Sequence, residues 1–195
     1  MGDFMTIKIM GQWKDGYVID YHSLYSDYLG DNVYGRPMYD TKRTQIGQLV
    51  YDLKYNKDKN KVSNILTLIG PFLNAWNIKN KVDLVLPIPP SNLDRIFQPV
   101  FELTIGISSF LGLSTTTKLL VKSNNVQSKN LSSLEKQKEL NGSITLTKNF
   151  KKEHDILLID DLYDTGSTLN EAVRALKTDP LTNNIYVLTM TKTKK

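Results

Sequence analysis

The chain has 195 residues, 40% of them apolar, which suits one domain, or one domain with an appended segment, and excludes wholesale disorder. It has no cysteine, so disulfides, Cys-ligated zinc, iron–sulfur clusters and thiol nucleophiles are excluded, and with only His22 and His154 so are multi-His metal sites. The net charge of +5 fits anionic ligands such as phosphates and a weak attraction to nucleic acid, and diagnoses neither. A cysteine-free chain also fits a reducing compartment, and a cytoplasmic location is expected. No apolar run approaches the ~20 residues of a membrane span. Met1-Gly2-Asp3-Phe4 lacks a basic segment ahead of an apolar stretch, so no signal peptide is expected.

The first forty residues are rich in Tyr, Gly and Asp, a text that predicts short strands and turns with no long helix. From Arg43 the period changes, and Ile46, Leu49, Val50 and Leu53 fall at helical spacing. A Lys/Asn/Asp break at 56–60 precedes a second helix carrying Val62, Ile65, Leu66, Ile69, Phe72, Leu73 and Trp76. Residues 1–80 are expected to form an N-terminal cap or hood, and 81–195 the core.

The core reads as strands alternating with helices, which predicts an α/β fold with a mostly parallel sheet and helices on its faces. Val82 to Ile88 is a short apolar strand that stops at Pro89-Pro90. Arg95 to Leu111 is expected as a helix, with Ile96, Val100, Leu103, Ile107 and Phe110 on its apolar face and Gly112 ending it. Thr115 to Val121 is β-branched and strand-like. Lys122 to Gln137 is polar with little period and reads as a loop. A short strand is expected at Ser143–Thr147, a buried one at Ile156–Ile159, a helix around Leu169, Ala172, Val173 and Leu176, and a last strand at Asn184–Met190.

The informative segment is 156–169. A buried strand is followed by Asp160 and Asp161, then by the turn Asp164-Thr165-Gly166-Ser167-Thr168 opening a helix. In open α/β sheets ligands bind beyond the carboxyl ends of the strands, where both acids are expected. Gly166 permits close backbone approach, Thr165, Ser167 and Thr168 add hydroxyls, and successive N–H groups at a helix N-terminus form an anion cradle. Acceptors for hydroxyl groups beside donors for a phosphate suit a sugar phosphate. A plainer role for the acids is capping of the helix that follows.

This segment resembles the phosphoribosyl pyrophosphate (PRPP) motif of the type I phosphoribosyltransferases. The resemblance implies that Asp160 and Asp161 hold the ribose hydroxyls and that Asp164, Thr165, Gly166, Ser167 and Thr168 wrap the 5′-phosphate. Asp164 stands where a Thr is common. It matches the purine-salvage version of the motif, which implies a catalytic proton-handling role beside the base. Upstream, Leu86-Pro87-Ile88-Pro89-Pro90-Ser91, the following helix and strand, the 127–134 loop and Asn141-Gly142 occur in the order of the ComF-like branch. Residues 46–55, ending Leu53-Lys54-Tyr55, resemble the helix that precedes that domain. The resemblance covers roughly 43–191 and is most specific at 156–169. ComF-like proteins often begin with a four-cysteine zinc ribbon, which a chain without cysteine cannot form.

The resemblance further implies a pyrophosphate loop at Ile88, Pro89, Pro90 and Ser91, and a flexible loop with Lys122, Gln127 and Lys129 that closes over PRPP; a solvated loop is the even alternative there. It implies Mg²⁺ as cofactor, with Asp160 and Asp161 touching it directly or through water. The expected activity is that of a phosphoribosyltransferase: a nitrogen nucleophile, nucleobase or amine, displaces pyrophosphate from PRPP. A catalytically silent PRPP-binding regulator or DNA-associated accessory protein is the alternative. Nucleic acid is the less favoured partner, no membrane partner is expected, and a homodimer is left open.

Overall fold

The computed structural model describes residues 5–91, 95–123 and 142–194. The N-terminal part runs β1 (Ile7–Lys8), β2 (Asp15–Tyr21), β3 (Ser23–Asp31), β4 (Pro37–Arg43), α1 (Gln45–Tyr55) and α2 (Lys61–Trp76). The rest runs β5 (Leu84–Pro87), α3 (Pro99–Leu111), β6 (Ser114–Thr115), β7 (Leu120–Lys122), β8 (Ile144–Leu146), β9 (His154–Tyr163), α4 (Ser167–Leu176) and β10 (Thr182–Lys192).

The central sheet has six strands in the order β1-β2-β10-β9-β5-β6. Only β1, paired with β2, is antiparallel. Strand alternation divides the core in two. Ile19, Val85, Leu157, Ile159 and Leu188 face α1, α2 and α3. Val18, Leu86, Leu158 and Val187 face α4 and the β7–β8 ribbon. The α/β fold with a mostly parallel sheet and helices on both faces is therefore present.

Residues 1–80 do not all stand apart from this sheet. β2 lies in register beside β10, and α1 and α2 cover one sheet face. The β3–β4 hairpin projects, with most of its residues exposed.

Three expectations are corrected. The helix expected from Arg95 starts at Pro99, and Ile96 is fully exposed. A residue before proline is driven from helical dihedrals, and Gln98 is extended at φ −113°, ψ 102°. Phe110 keeps its place on the apolar face, its ring against Gly70 of α2, while 44% exposed. The strand expected at Thr115–Val121 is two short strands in different sheets. A turn at Thr116–Lys118 separates them, where the Lys118 N–H donates to Thr116 Oγ1 at 3.4 Å. Finally, β9 does not stop before the acids but runs through Asp160 and Asp161 to Tyr163, because β10 continues alongside it, pairing Thr189 with Asp160 and Lys192 with Tyr163.

Candidate active site

The site begins where two neighbouring strands part. β5 pairs with β9 as far as Pro87 opposite Ile159, and the Ile88 N–H donates to the Ile159 carbonyl at 2.8 Å. Pro89 and Pro90 follow and have no N–H to extend the ladder. β9 continues alone on that side, so a crevice opens at its carboxyl end. This is also where the strand order reverses: from β5 the chain crosses through α3 to β6 on one side, and from β9 through α4 to β10 on the other. Such switch points are where open α/β sheets bind ligands.

The crevice holds a cavity of about 310 Å³. Its polar lining is Lys54, Ser91, Arg95, Gln98, Asp160, Asp161 and Thr168, and Ile88, Pro89 and Pro90 complete the β5 side. Asp160 and Asp161, the four residues of the expected pyrophosphate loop and Thr168 thus share one space. The X–Pro bonds of that loop are all trans.

Asp160 and Asp161 are consecutive on a strand and face opposite sides of the sheet. The Asp161 N–H donates to Asp160 Oδ1 at 2.8 Å. Burial, then the charge of Asp161, pushes the Asp160 carboxyl well above the usual carboxylate range. Asp161 meets Lys54, whose Nζ donates to Oδ2 at 2.8 Å. Burial alone would lower the Lys54 pKa, but the charge of Asp161 and the hydrogen bond to it outweigh burial and raise it.

Lys54 is placed by the construction of α1. Thr44 caps the helix, its Oγ1 accepting from the Gly47 N–H at 3.0 Å and donating to the Tyr21 carbonyl at 2.6 Å. Gly47 lies so close to β2 that a Cβ there would run into the His22 carbonyl. Leu53 is fully buried, so the last turn is held to the sheet and Lys54 comes off it toward Asp161.

His22 is half-buried beside this pair. Thr191 Oγ1 donates its one proton to the Asp161 carbonyl at 2.9 Å, so the 3.2 Å contact between His22 Nδ1 and Thr191 Oγ1 is made by an Nδ1–H donor. Burial, then Arg43 and Lys54, pushes the His22 pKa down. A neutral His22 supports the backbone of Asp161 and has no part in the cavity lining. His154 lies at the opposite end of β9, 2.8 Å from Asp83 Oδ2.

The cradle turn precedes α4. Gly166 has φ +79°, a left-handed conformation open to glycine, and a Cβ there would lie 2.8 Å from the Tyr163 hydroxyl. No side chain caps α4, and its first turn carries no acid. Thr165 and Ser167 hydroxyls are 2.9 Å apart, and the Ser167 N–H reaches Thr165 Oγ1 only at 3.4 Å. The N-terminal dipole is thus available to an anion. Of the cradle residues Thr168 lines the cavity. Asp164 and Thr165 are exposed, and Thr193 Oγ1 donates to Asp164 Oδ1 at 2.9 Å.

Lys122, at the end of β7, donates to Ser91 Oγ at 3.0 Å, which ties the ribbon to the β5 turn. Burial lowers its pKa, and the charge of Asp160 acts against that. Gln127 and Lys129 lie outside the described residues. Lys54, Arg95 and Gln98 were not among the residues expected at the site. Lys54 carried a signal, a cation next to the buried Leu53 at the end of an apolar helix face. Arg95 and Gln98 fall within the span expected as helix and lie in the irregular approach to Pro99 instead.

No protein-family model matches the chain, and no curated protein matches it. Among solved structures it is similar to an adenine phosphoribosyltransferase, with a TM-score of 0.48, 11% identity and 86% of each chain covered. It is similar to the adenine phosphoribosyltransferase of Thermoanaerobacter pseudethanolicus, with a TM-score of 0.42, 12% identity, 86% of this chain and 95% of that chain. It is also similar to the orotate phosphoribosyltransferase of Aeropyrum pernix, with a TM-score of 0.40, 13% identity, 82% of this chain and 71% of that chain. These likenesses are distant.

Proposed function

We propose that the chain binds PRPP and transfers its 5-phosphoribosyl group to a nitrogen nucleophile, nucleobase or amine, with release of pyrophosphate, as a type I phosphoribosyltransferase of ComF-like character. One observation carries the reading. Asp160 and Asp161, at the carboxyl end of β9 where the strand order reverses, share a cavity with the Ile88–Ser91 turn and with Thr168 at the uncapped start of α4. Carboxylates for ribose hydroxyls, an N-terminal dipole for the 5′-phosphate and a turn beside them for pyrophosphate are what PRPP requires.

In this reading Asp164 takes or relays the proton of the incoming nitrogen. Magnesium would lessen the charge of the departing pyrophosphate. Two carboxylates, one of them already held by Lys54, are a sparse protein ligand set, and among the described residues no group of three or more His, Cys, Asp or Glu gathers to hold a metal. The ion fits only as one carried by ligand oxygens and water, with Asp160 and Asp161 reaching it through water. A second reading, a catalytically silent PRPP-binding regulator, is favoured by one observation: Asp164 is exposed, bonded to Thr193 and outside the cavity lining.

Calorimetry with PRPP and Mg²⁺ tests the binding. The parent protein should bind PRPP, and ribose 5-phosphate more weakly. Replacing both acids, Asp160→Asn with Asp161→Asn, removes two charge-assisted hydrogen bonds of about 1.5–3 kcal/mol each, so affinity should fall about 10²-fold or more with the fold intact. Unchanged affinity would leave the pair as structural groups, Asp161 the partner of Lys54 and Asp160 the acceptor for the Asp161 N–H. Pyrophosphate release across a panel of nucleobases and amines separates the enzyme from the silent binder.

A further inference from the structure

Among the described residues the cavity lining carries four formally charged side chains, Lys54 and Arg95 against Asp160 and Asp161. In the ligand-free chain Lys54 is committed to Asp161 at 2.8 Å. A carboxylate paired with an ammonium is a poorer acceptor for sugar hydroxyls than an unpaired one, because the cation has already drawn on its charge. The pair is also not sealed in: the side chains are 27% and 15% exposed, so either can change partner without leaving a charge dry. The backbone of Lys54 is fixed by its anchored helix turn, while its flexible four-carbon stem lets the head change partner. A second cation, Arg95, and the Ile88–Ser91 turn line the same cavity.

We propose that Lys54 is a ligand-exchange residue, which holds Asp161 in the free protein and transfers to the pyrophosphate arm of PRPP when the ribose hydroxyls take over that carboxylate. The proposal rests on the PRPP reading. The exchange makes one binding event satisfy both halves of an existing ion pair. It also discriminates between ligands, since one with hydroxyls but no second phosphate group offers Lys54 no new anion in exchange for Asp161. PRPP is thereby distinguished from ribose 5-phosphate by a residue on α1, outside the strand-to-helix segment that reads as the sugar phosphate motif.

The test compares the parent, Lys54→Met and Lys54→Arg by calorimetry against PRPP, ribose 5-phosphate and inorganic pyrophosphate, each with Mg²⁺. Lys54→Met keeps the apolar stem and removes the charge. It should lose about tenfold or more toward PRPP and pyrophosphate, one charge-assisted bond, while ribose 5-phosphate stays within about threefold or tightens. Lys54→Arg keeps the charge and should recover most of the PRPP affinity. Equal losses toward PRPP and ribose 5-phosphate in Lys54→Met would overturn the exchange and leave Lys54 as a support for Asp161. Unchanged affinities throughout would overturn it also. A parent that binds none of the three at millimolar concentration sinks the PRPP reading itself, an outcome distinct from a parent that binds and a variant that does not differ.

Discussion

Neighbouring carboxylates on one strand face opposite sides of a sheet, and that alternation decides what each one meets. Asp161 is met by Lys54 from the helical face, while Asp160 sits under the β7–β8 side with burial and its neighbour's charge against its ionisation. Asp164, three residues on, has left the sheet. Its expected role at the nitrogen nucleophile is tested by Asp164→Asn. PRPP affinity should stay equal or improve slightly, since a negative charge beside a phosphate is removed, while turnover should fall about 10²-fold, the scale of a lost general base. Pyrophosphate release at the parent rate would leave Asp164 as a tether for Thr193. At this scale the sequence was informative where chemistry is local: three acids, a glycine and three aliphatic hydroxyls within nine residues. It was silent on Lys54 as a site residue, because a lysine 107 positions before its partner is joined to it only by tertiary packing.

Elements are held to one another by a few polar clamps, and one of them secures the cradle helix. Glu171 of α4 is buried, and its Oε1 accepts from the Gly142 N–H at 2.7 Å and the Ile144 N–H at 3.3 Å, while Arg174 Nε donates to Oε2 at 2.7 Å. This ties β8 to the face of α4 that follows the cradle. Burial acts to raise the Glu171 pKa, but Arg174 and the backbone donors outweigh it and hold it below its ordinary 4.5. A depressed carboxylate contributes stability that is present above 4.5 and lost as pH falls through the folded value. Glu171→Ala should therefore cost about 2–3 kcal/mol at neutral pH in denaturant unfolding, from orphaned buried donors. The gap from the parent should narrow as pH falls below 4.5. A gap independent of pH would assign the loss to packing alone. Element types were legible from period, as with α1 and α2, whose buried faces are those that recur at helical spacing. Ends were less so, because proline acts on the residue before it: Gln98 is extended and α3 begins later than its apolar period suggests.

The order of strands across the whole molecule has no local signature. β2 reads as one more Tyr-rich strand of an N-terminal cap, yet it lies parallel to β10, the last strand, with Val18 and Ile19 fully buried on opposite faces. Period tells which side of a strand is buried but not which strand lies beside it. The consequence is testable by removing either part of the N-terminal region. Ser23 and Arg43 are register partners at the base of the β3–β4 hairpin, close enough for a two-residue turn to join them. Arg43 stays anchored on Tyr51 of α1, its guanidinium 3.8 Å from the ring centre. The hairpin carries Leu24, Tyr28, Leu29, Val33, Tyr34 and Tyr39 largely in solvent, so its loss uncovers little core. Excision of 24–42 with such a turn should leave one cooperative unfolding transition, with Tm within about 4 °C of the parent, the shift for roughly 1 kcal/mol in a chain this long. It should leave PRPP binding intact, since no hairpin residue lines the cavity. Deletion of 1–22 removes β2 and uncovers an edge of β10; Val18 and Ile19 alone stand for about 1.5–3 kcal/mol each. That variant should lose the cooperative transition. If it instead unfolds like the parent while the hairpin excision does not, the N-terminal strands are a separable cap and β2 is not part of the cooperative core.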